Sequence, residues 1–237
     1  MTAVKICGLT RAADAECAAS LGAAYLGCVF AGGPRTRTPA DAAVIFAGIG
    51  RPPGQADRPR RVGVFGAGDA ATVVAAARTA ALDVLQLHGP ADPGAVVALR
   101  ARIECEIWAV VRCTGGTLPP ETSRLWGVAD GVLLDAVRPG RLGGTGVVLP
   151  WAELAPQIAA LRDRPSRATR LVLAGGLTPE NVGTAIAALR PDVVDVSSGV
   201  EVGTPGVKDT GRMRAFIEAV GIADRAVARP SPFVARP

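Results

Sequence analysis

Short apolar runs alternate with alanine-rich stretches along almost the whole chain. Eight runs stand out: 3–7 (AVKIC), 24–30 (AYLGCVF), 61–65 (RVGVF), 82–88 (LDVLQLH), 104–111 (ECEIWAVV), 130–134 (DGVLL), 170–174 (RLVLA) and 193–197 (VVDVS). They are rich in Val, Leu and Ile, as strands buried on both faces are. Between them, alanine-rich segments with helical spacing occupy 11–21, 39–48, 69–81, 91–102, 151–162, 179–189 and 208–220. The fifth connection, 119–127, is short and weakly helical. Strict alternation predicts a parallel sheet with right-handed crossovers. A doubly wound open sheet shares that pattern, but eight units within 237 residues favour an eight-stranded (βα)8 TIM barrel, a single α/β domain. The barrel is expected over 1–221, with a Pro/Arg-rich disordered tail over 222–237 and an inserted surface loop at 48–60.

The richest stretch runs from Leu171 to Gly199. The seventh strand ends in Gly175-Gly176, and the eighth ends in Ser197-Ser198-Gly199. Turns of such small residues leave backbone N–H groups bare and let an anion approach closely. Thr178 followed by Pro179 reads as an N-cap and first helical position, which would put a positive helix end just past the glycine pair. Two such turns at units seven and eight suggest the phosphate grip of a barrel. Functional groups of barrels sit at strand C-termini and in the loops beyond them. Those positions hold Cys7, Arg35, His88 and Asp135. Cys7 and Asp135 come from strands on opposite sides of the ring, so a substrate across the mouth could touch both.

Composition narrows the chemistry. No stretch is long and apolar enough to span a bilayer, and MTAVKI lacks a signal-peptide profile, so no membrane partner is expected and a cytoplasmic location is. Five scattered cysteines form no CxxC pair and fit reduced thiols. With one histidine and scattered thiols, no transition-metal site is expected. The net charge of +5 comes with only 4% aromatics and dispersed arginines, which argues against nucleic acid and for an anionic small molecule. Gly66-Ala67-Gly68-Asp69-Ala70-Ala71 nearly matches a dinucleotide fingerprint, but it follows the third strand and lacks the acid a second strand should end in. It is better read as a βα turn with Asp69 as N-cap.

Seven segments, taken in order, carry a family resemblance. They are Lys5-Ile6-Cys7-Gly8-Leu9-Thr10, Gln86-Leu87-His88-Gly89, Leu133-Leu134-Asp135, Gly143-Gly144-Thr145-Gly146, Leu173-Ala174-Gly175-Gly176-Leu177, Asp195 through Glu201, and Pro205-Gly206-Val207-Lys208-Asp209. The set resembles the phosphoribosylanthranilate isomerases of tryptophan biosynthesis from residue 3 to about 220. The resemblance implies a cofactor-free barrel, monomeric or homodimeric, that performs an Amadori rearrangement of a phosphorylated aminoaldose. It implies Asp135 as general acid and Cys7 as general base. Arg35 would be the partner of the substrate's aryl carboxylate, although Arg37 lies two residues away. Gly144, Gly175, Gly176, Ser197, Ser198 and Gly199 would bind substrate, chiefly its phosphate, and His88 would line the pocket or pack beside it. Gly33 and Arg37 depart from the family's usual second loop. Another phosphosugar isomerase, including one of dual pathway specificity, and a non-catalytic phosphate-binding barrel are the alternative readings.

The lysines add a last expectation. Of 26 cationic residues only Lys5 and Lys208 are lysine. Residues two apart on a strand share a face, so Lys5 should point into the barrel with Cys7. A buried ammonium needs a partner. Asp195 shares parity with Ser197 on the strand that closes against the first, which predicts a Lys5–Asp195 ion pair supporting Cys7, with the ammonium favouring the thiolate and the carboxylate offsetting part of that effect.

Overall fold

The computed structural model describes residues 1–50, 57–66, 68–89, 92–136, 148–164 and 168–228. Eight strands form one closed, all-parallel barrel in sequence order: β1 (Ala3–Ile6), β2 (Tyr25–Val29), β3 (Arg60–Phe65), β4 (Val84–Leu87), β5 (Glu106–Cys113), β6 (Gly131–Ala136), β7 (Arg170–Ala174) and β8 (Val193–Val196). Eight helices alternate with them: α1 (Ala12–Leu21), α2 (Pro39–Phe46), α3 (Ala70–Thr79), α4 (Pro93–Arg100), α5 (Pro120–Leu125), α6 (Trp151–Arg162), α7 (Val182–Leu189) and α8 (Thr210–Ala228). Helix starts follow local chemistry. Thr38 and Asp41 cap α2 reciprocally with Pro39 at its first turn, and Asp69 caps α3 by accepting from Thr72 N–H.

Side-chain alternation along the strands divides the apolar residues into two layers. One set, including Leu26, Ile107, Leu134 and Leu173, packs outward against helix residues such as Ala15, Val74, Ile186 and Phe216. The other fills the barrel with Tyr25, Val62, Val84, Trp108, Val110, Leu133, Val172 and Val193. Tyr25 and Trp108 pack with ring centroids 4.9 Å apart and planes tilted by 59° within that plug. Glu106, at the start of β5, bridges Arg60 of β3 and Arg170 of β7, the next strands but one on either side. The inward parity continues upward to Cys7, His88, Arg112, Asp135, Ala174 and Ser197, so the same alternation that fills the core delivers these residues to the mouth.

Three details differ from the sequence reading. The segment after the glycine pair does not start a helix at Thr178. There Thr178 N–H donates to the Asn181 side chain, and α7 begins at Val182. β5 runs on to Cys113 because Arg112 and Cys113 pair with Asp135 and Ala136 of β6. Helix α8 reaches Ala228, since Met213, Phe216, Val220 and Ala223 bury one face along its length. Residues 222–228 are therefore helix, and the remainder of the expected tail lies outside the described residues. So do residues 51–56 of the expected 48–60 loop.

Candidate active site

A cavity of about 640 Å³ opens at the C-terminal ends of the strands. Its lining includes Cys7, Arg35, Gln86, His88, Arg112, Asp135, Gly175, Gly176, Asp195, Ser197, Ser198 and Gly199. Gly144 lies outside the described residues. Every other site residue taken from the sequence except Lys5 is on this lining, and Lys5 lies beneath it. Arg37 turns away, donating to the Thr36 and Thr10 carbonyls, so Arg35 is the arginine of that loop at the cavity.

Lys5 is fully buried and its Nζ donates to Asp195 Oδ2 at 2.8 Å. The closing register sets Lys5 directly opposite Asp195. Neighbouring Gly27 clears space, since a methyl there would stand 3.1 Å from Cys7 Sγ and 3.2 Å from Lys5 Nζ. Burial would lower the Lys5 pKa, but Asp195 and Cys7 outweigh it and hold the ammonium protonated. For Cys7 the balance runs the other way. Burial pushes the thiol up, Asp195 adds to that, and Lys5 recovers only part of the difference. The resting residue is thus a thiol: Lys5 and Asp195 pull in the opposite directions expected from the sequence, and desolvation of the sulfur anion, which the sequence does not show, decides the balance.

Across the mouth, Asp135 is pushed up to about 6 by burial and by the Asp195 carboxylate, against the opposing pull of Arg112 and Lys5. His88 Nε2 lies 3.8 Å from Asp135 Oδ2. Burial, Arg112 and Lys5 lower the His88 pKa, so its imidazole is neutral near pH 7. Arg112 has no role in the sequence reading, which ended its strand at residue 111. The signal was strand parity, since Trp108 and Val110 already fix the inward face. Gln86 Oε1 and Asp195 Oδ1 are buried acceptors with no partner among the described residues, and both residues line the cavity.

The two small-residue turns pack directly on each other. Gly175 has φ +87°, and a methyl on it would overlap the Ala136 backbone nitrogen. A methyl on Gly199 would overlap the Leu177 carbonyl oxygen. The N–H groups of Gly176, Ser198 and Gly199 donate to no other described residue, leaving them for an anion. Among the described residues no cluster of His, Cys, Asp and Glu could hold a metal, and no helix is long and apolar enough to cross a membrane.

Residues 4–219 match the family model described as N-(5'-phosphoribosyl)anthranilate (PRA) isomerase. The chain belongs to that family. A relative from Paracoccus denitrificans, N-(5'-phosphoribosyl)anthranilate isomerase, is 42% identical over 221 residues, covering 90% of this chain and 94% of its own. The solved phosphoribosyl anthranilate isomerase of Thermus thermophilus is 35% identical with a TM-score of 0.77, over 93% of this chain and 99% of that one. A further solved member of the PRA isomerase family is bound to reduced 1-(o-carboxyphenylamino)-1-deoxyribulose 5-phosphate. It is 32% identical with a TM-score of 0.74, over 93% of this chain and all of the other, 100%.

Proposed function

We propose that this cavity converts N-(5'-phosphoribosyl)anthranilate into 1-(2-carboxyphenylamino)-1-deoxyribulose 5-phosphate, a step of tryptophan biosynthesis. Asp135 gives its proton to the ribose ring oxygen while the C1'–O bond breaks and the amine lone pair forms the C=N bond of a Schiff base. Cys7, as thiolate, then takes the C2' proton, and the C–H electrons pass into a C1'=C2' enolamine. Proton shift from the C2' hydroxyl to C1' yields the aminoketone, with no net change in protons or electrons. The observation that carries this reading is the pairing of an Asp135 carboxyl held near 6 with the Cys7 thiol on the same cavity lining.

Ser197, Ser198, Gly175, Gly176 and Gly199 take the phosphate, and Arg35 takes the aryl carboxylate. Gln86 and Asp195 supply acceptors for sugar hydroxyls. His88, neutral, orders the Asp135 side of the pocket. The partner is thus a small phosphorylated molecule. Five free cysteines support a reducing, cytoplasmic setting. The test is turnover of N-(5'-phosphoribosyl)anthranilate made in situ from anthranilate and phosphoribosyl pyrophosphate, followed by the loss of substrate fluorescence. Absence of turnover with folded protein would rule the reading out.

A further inference from the structure

The segment after the phosphate turn doubles back on itself. Glu201 and Lys208 form an antiparallel bridge, Val202 N–H donates to the Val207 carbonyl, and Val207 N–H donates to the Thr204 carbonyl. This hairpin clasps the first βα loop as well. Thr10 Oγ1 donates to the Gly206 carbonyl at 2.7 Å, and Lys208 N–H donates to Asp14 at 3.1 Å.

Glu201 is the hub, with 7% of its surface exposed. Its carboxylate accepts from Arg35 Nε at 2.7 Å, Arg35 Nη2 at 2.6 Å, Lys208 Nζ at 2.9 Å and Gly206 N–H at 2.9 Å. Lys208 Nζ also donates to the Ser197 carbonyl at 3.1 Å, which ties the hub to the phosphate turn. Two cations against one carboxylate leave the trio with a net positive charge beside the cavity.

The guanidinium is planar and offers two bidentate edges. Glu201 occupies the Nε/Nη2 edge, while Nη1 of Arg35 donates to no other described residue. The arginine stem lies across Gly8, where a methyl would stand 2.5 Å from Arg35 Cδ and 2.8 Å from Ser197 Oγ, at a φ of +69°. A side chain at position 8 would lift Arg35 off this path. The sequence supplies a glycine where the path needs one and a glutamate where the path ends.

We propose that Glu201 is a positioning residue, which holds one edge of Arg35 so that the other edge meets the carboxylate of the substrate's aryl group. The inference rests on the reading of Arg35 as the partner of that carboxylate. A free arginine would lose much rotamer freedom on meeting the ligand, and Glu201 imposes that order before binding. The same hub ties the aryl-carboxylate contact to the phosphate turn through Lys208, so both ends of the substrate are gripped by one framework.

The test compares two ligands by titration calorimetry. One is reduced 1-(o-carboxyphenylamino)-1-deoxyribulose 5-phosphate, and the other is the same molecule lacking the ring carboxylate. In Glu201→Gln the carboxylated ligand should weaken by roughly tenfold or more, as a misaligned charge-assisted pair does, while the other changes by less than about twofold. KM should rise with kcat little changed. Equal weakening of both ligands would reduce Glu201 to a structural role, and unchanged affinities would likewise overturn the proposal. Tighter binding of the carboxylated ligand would show that Glu201 competes for Arg35, the opposite sign. Arg35→Met separates the two layers. If it shifts the ligand ratio and Glu201→Gln does not, the positioning role alone fails. If neither shifts it, the reading of Arg35 fails as well. Should Glu201→Gln not fold, Glu201→Gln/Lys208→Met removes the stranded ammonium and carries the same comparison.

Discussion

Replacing Lys5 with methionine tests how the barrel interior is built. Methionine keeps much of the side chain's length and apolar volume but deletes the ammonium, leaving the Asp195 carboxylate inside the barrel without its 2.8 Å partner. The two side chains are 0% and 7% exposed, so solvent cannot take over. Removing one member of a buried pair costs about 3–5 kcal/mol, because the remaining charge is uncompensated. For a domain of this size each kcal/mol moves Tm by roughly 2–4 °C, so Lys5→Met should melt about 6–20 °C lower. Differential scanning calorimetry at pH 7 reads this directly. The Lys5→Met/Asp195→Leu double variant should recover much of the loss, since a well-packed apolar pair can replace a buried ion pair. Activity should not recover with stability, because Lys5 is the cation that offsets burial of the Cys7 thiolate. Lys5→Arg should also be harmful, as the larger planar head must fit beside Cys7 and Gly27. A single variant that melts within about 1 kcal/mol of the parent and keeps full turnover would refute the reasoning.

Cys7→Ser and Asp135→Asn should each lower kcat by roughly a hundredfold or more with little change in KM, because each removes a proton-transfer group. Steady-state kinetics checks both, and near-parent turnover in either would remove that residue from the mechanism. The pH profile has a defined sign. The reactive form has Asp135 protonated and Cys7 ionised, while burial holds the Cys7 pKa above that of Asp135. That minority form is constant between the two pKa values, so kcat/KM should rise with pH up to about 6, level off, and fall only on the alkaline side. Arg112→Gln deletes a cation that lowers the Asp135 pKa, so it should move the acid limb upward; a downward move would contradict the electrostatics. Ser198→Asp should weaken inhibition by inorganic phosphate through like-charge repulsion. Gly199→Ala should do so by pushing the turn off the Leu177 carbonyl, and unchanged phosphate inhibition in both would exclude that site.

The sequence by itself determined the architecture, because short continuous apolar runs and the helical segments between them are local properties, and a strand buried on both faces imposes apolar residues all along its length. Parity carried further than the element boundaries. It put Lys5 with Cys7 and Asp195 with Ser197, and once the order of strands closed a ring, the Lys5–Asp195 pair followed. The small-residue turns were legible for the same reason, since close packing of one turn on another admits no side chain.

Tertiary structure alone decided what depends on contacts distant in sequence. Arg35 and Glu201 are 166 residues apart, and no periodicity announces that one guanidinium edge is taken by a carboxylate from the far end of the chain. The start of α7 is set by the Asn181 side chain on Thr178 N–H rather than by the expected Thr-Pro start. The direction of the Cys7 shift was also beyond the sequence. The opposing pulls of Lys5 and Asp195 were legible, but the outcome depends on how completely the folded barrel removes water from the sulfur, and that desolvation exceeds the help of an ammonium already paired.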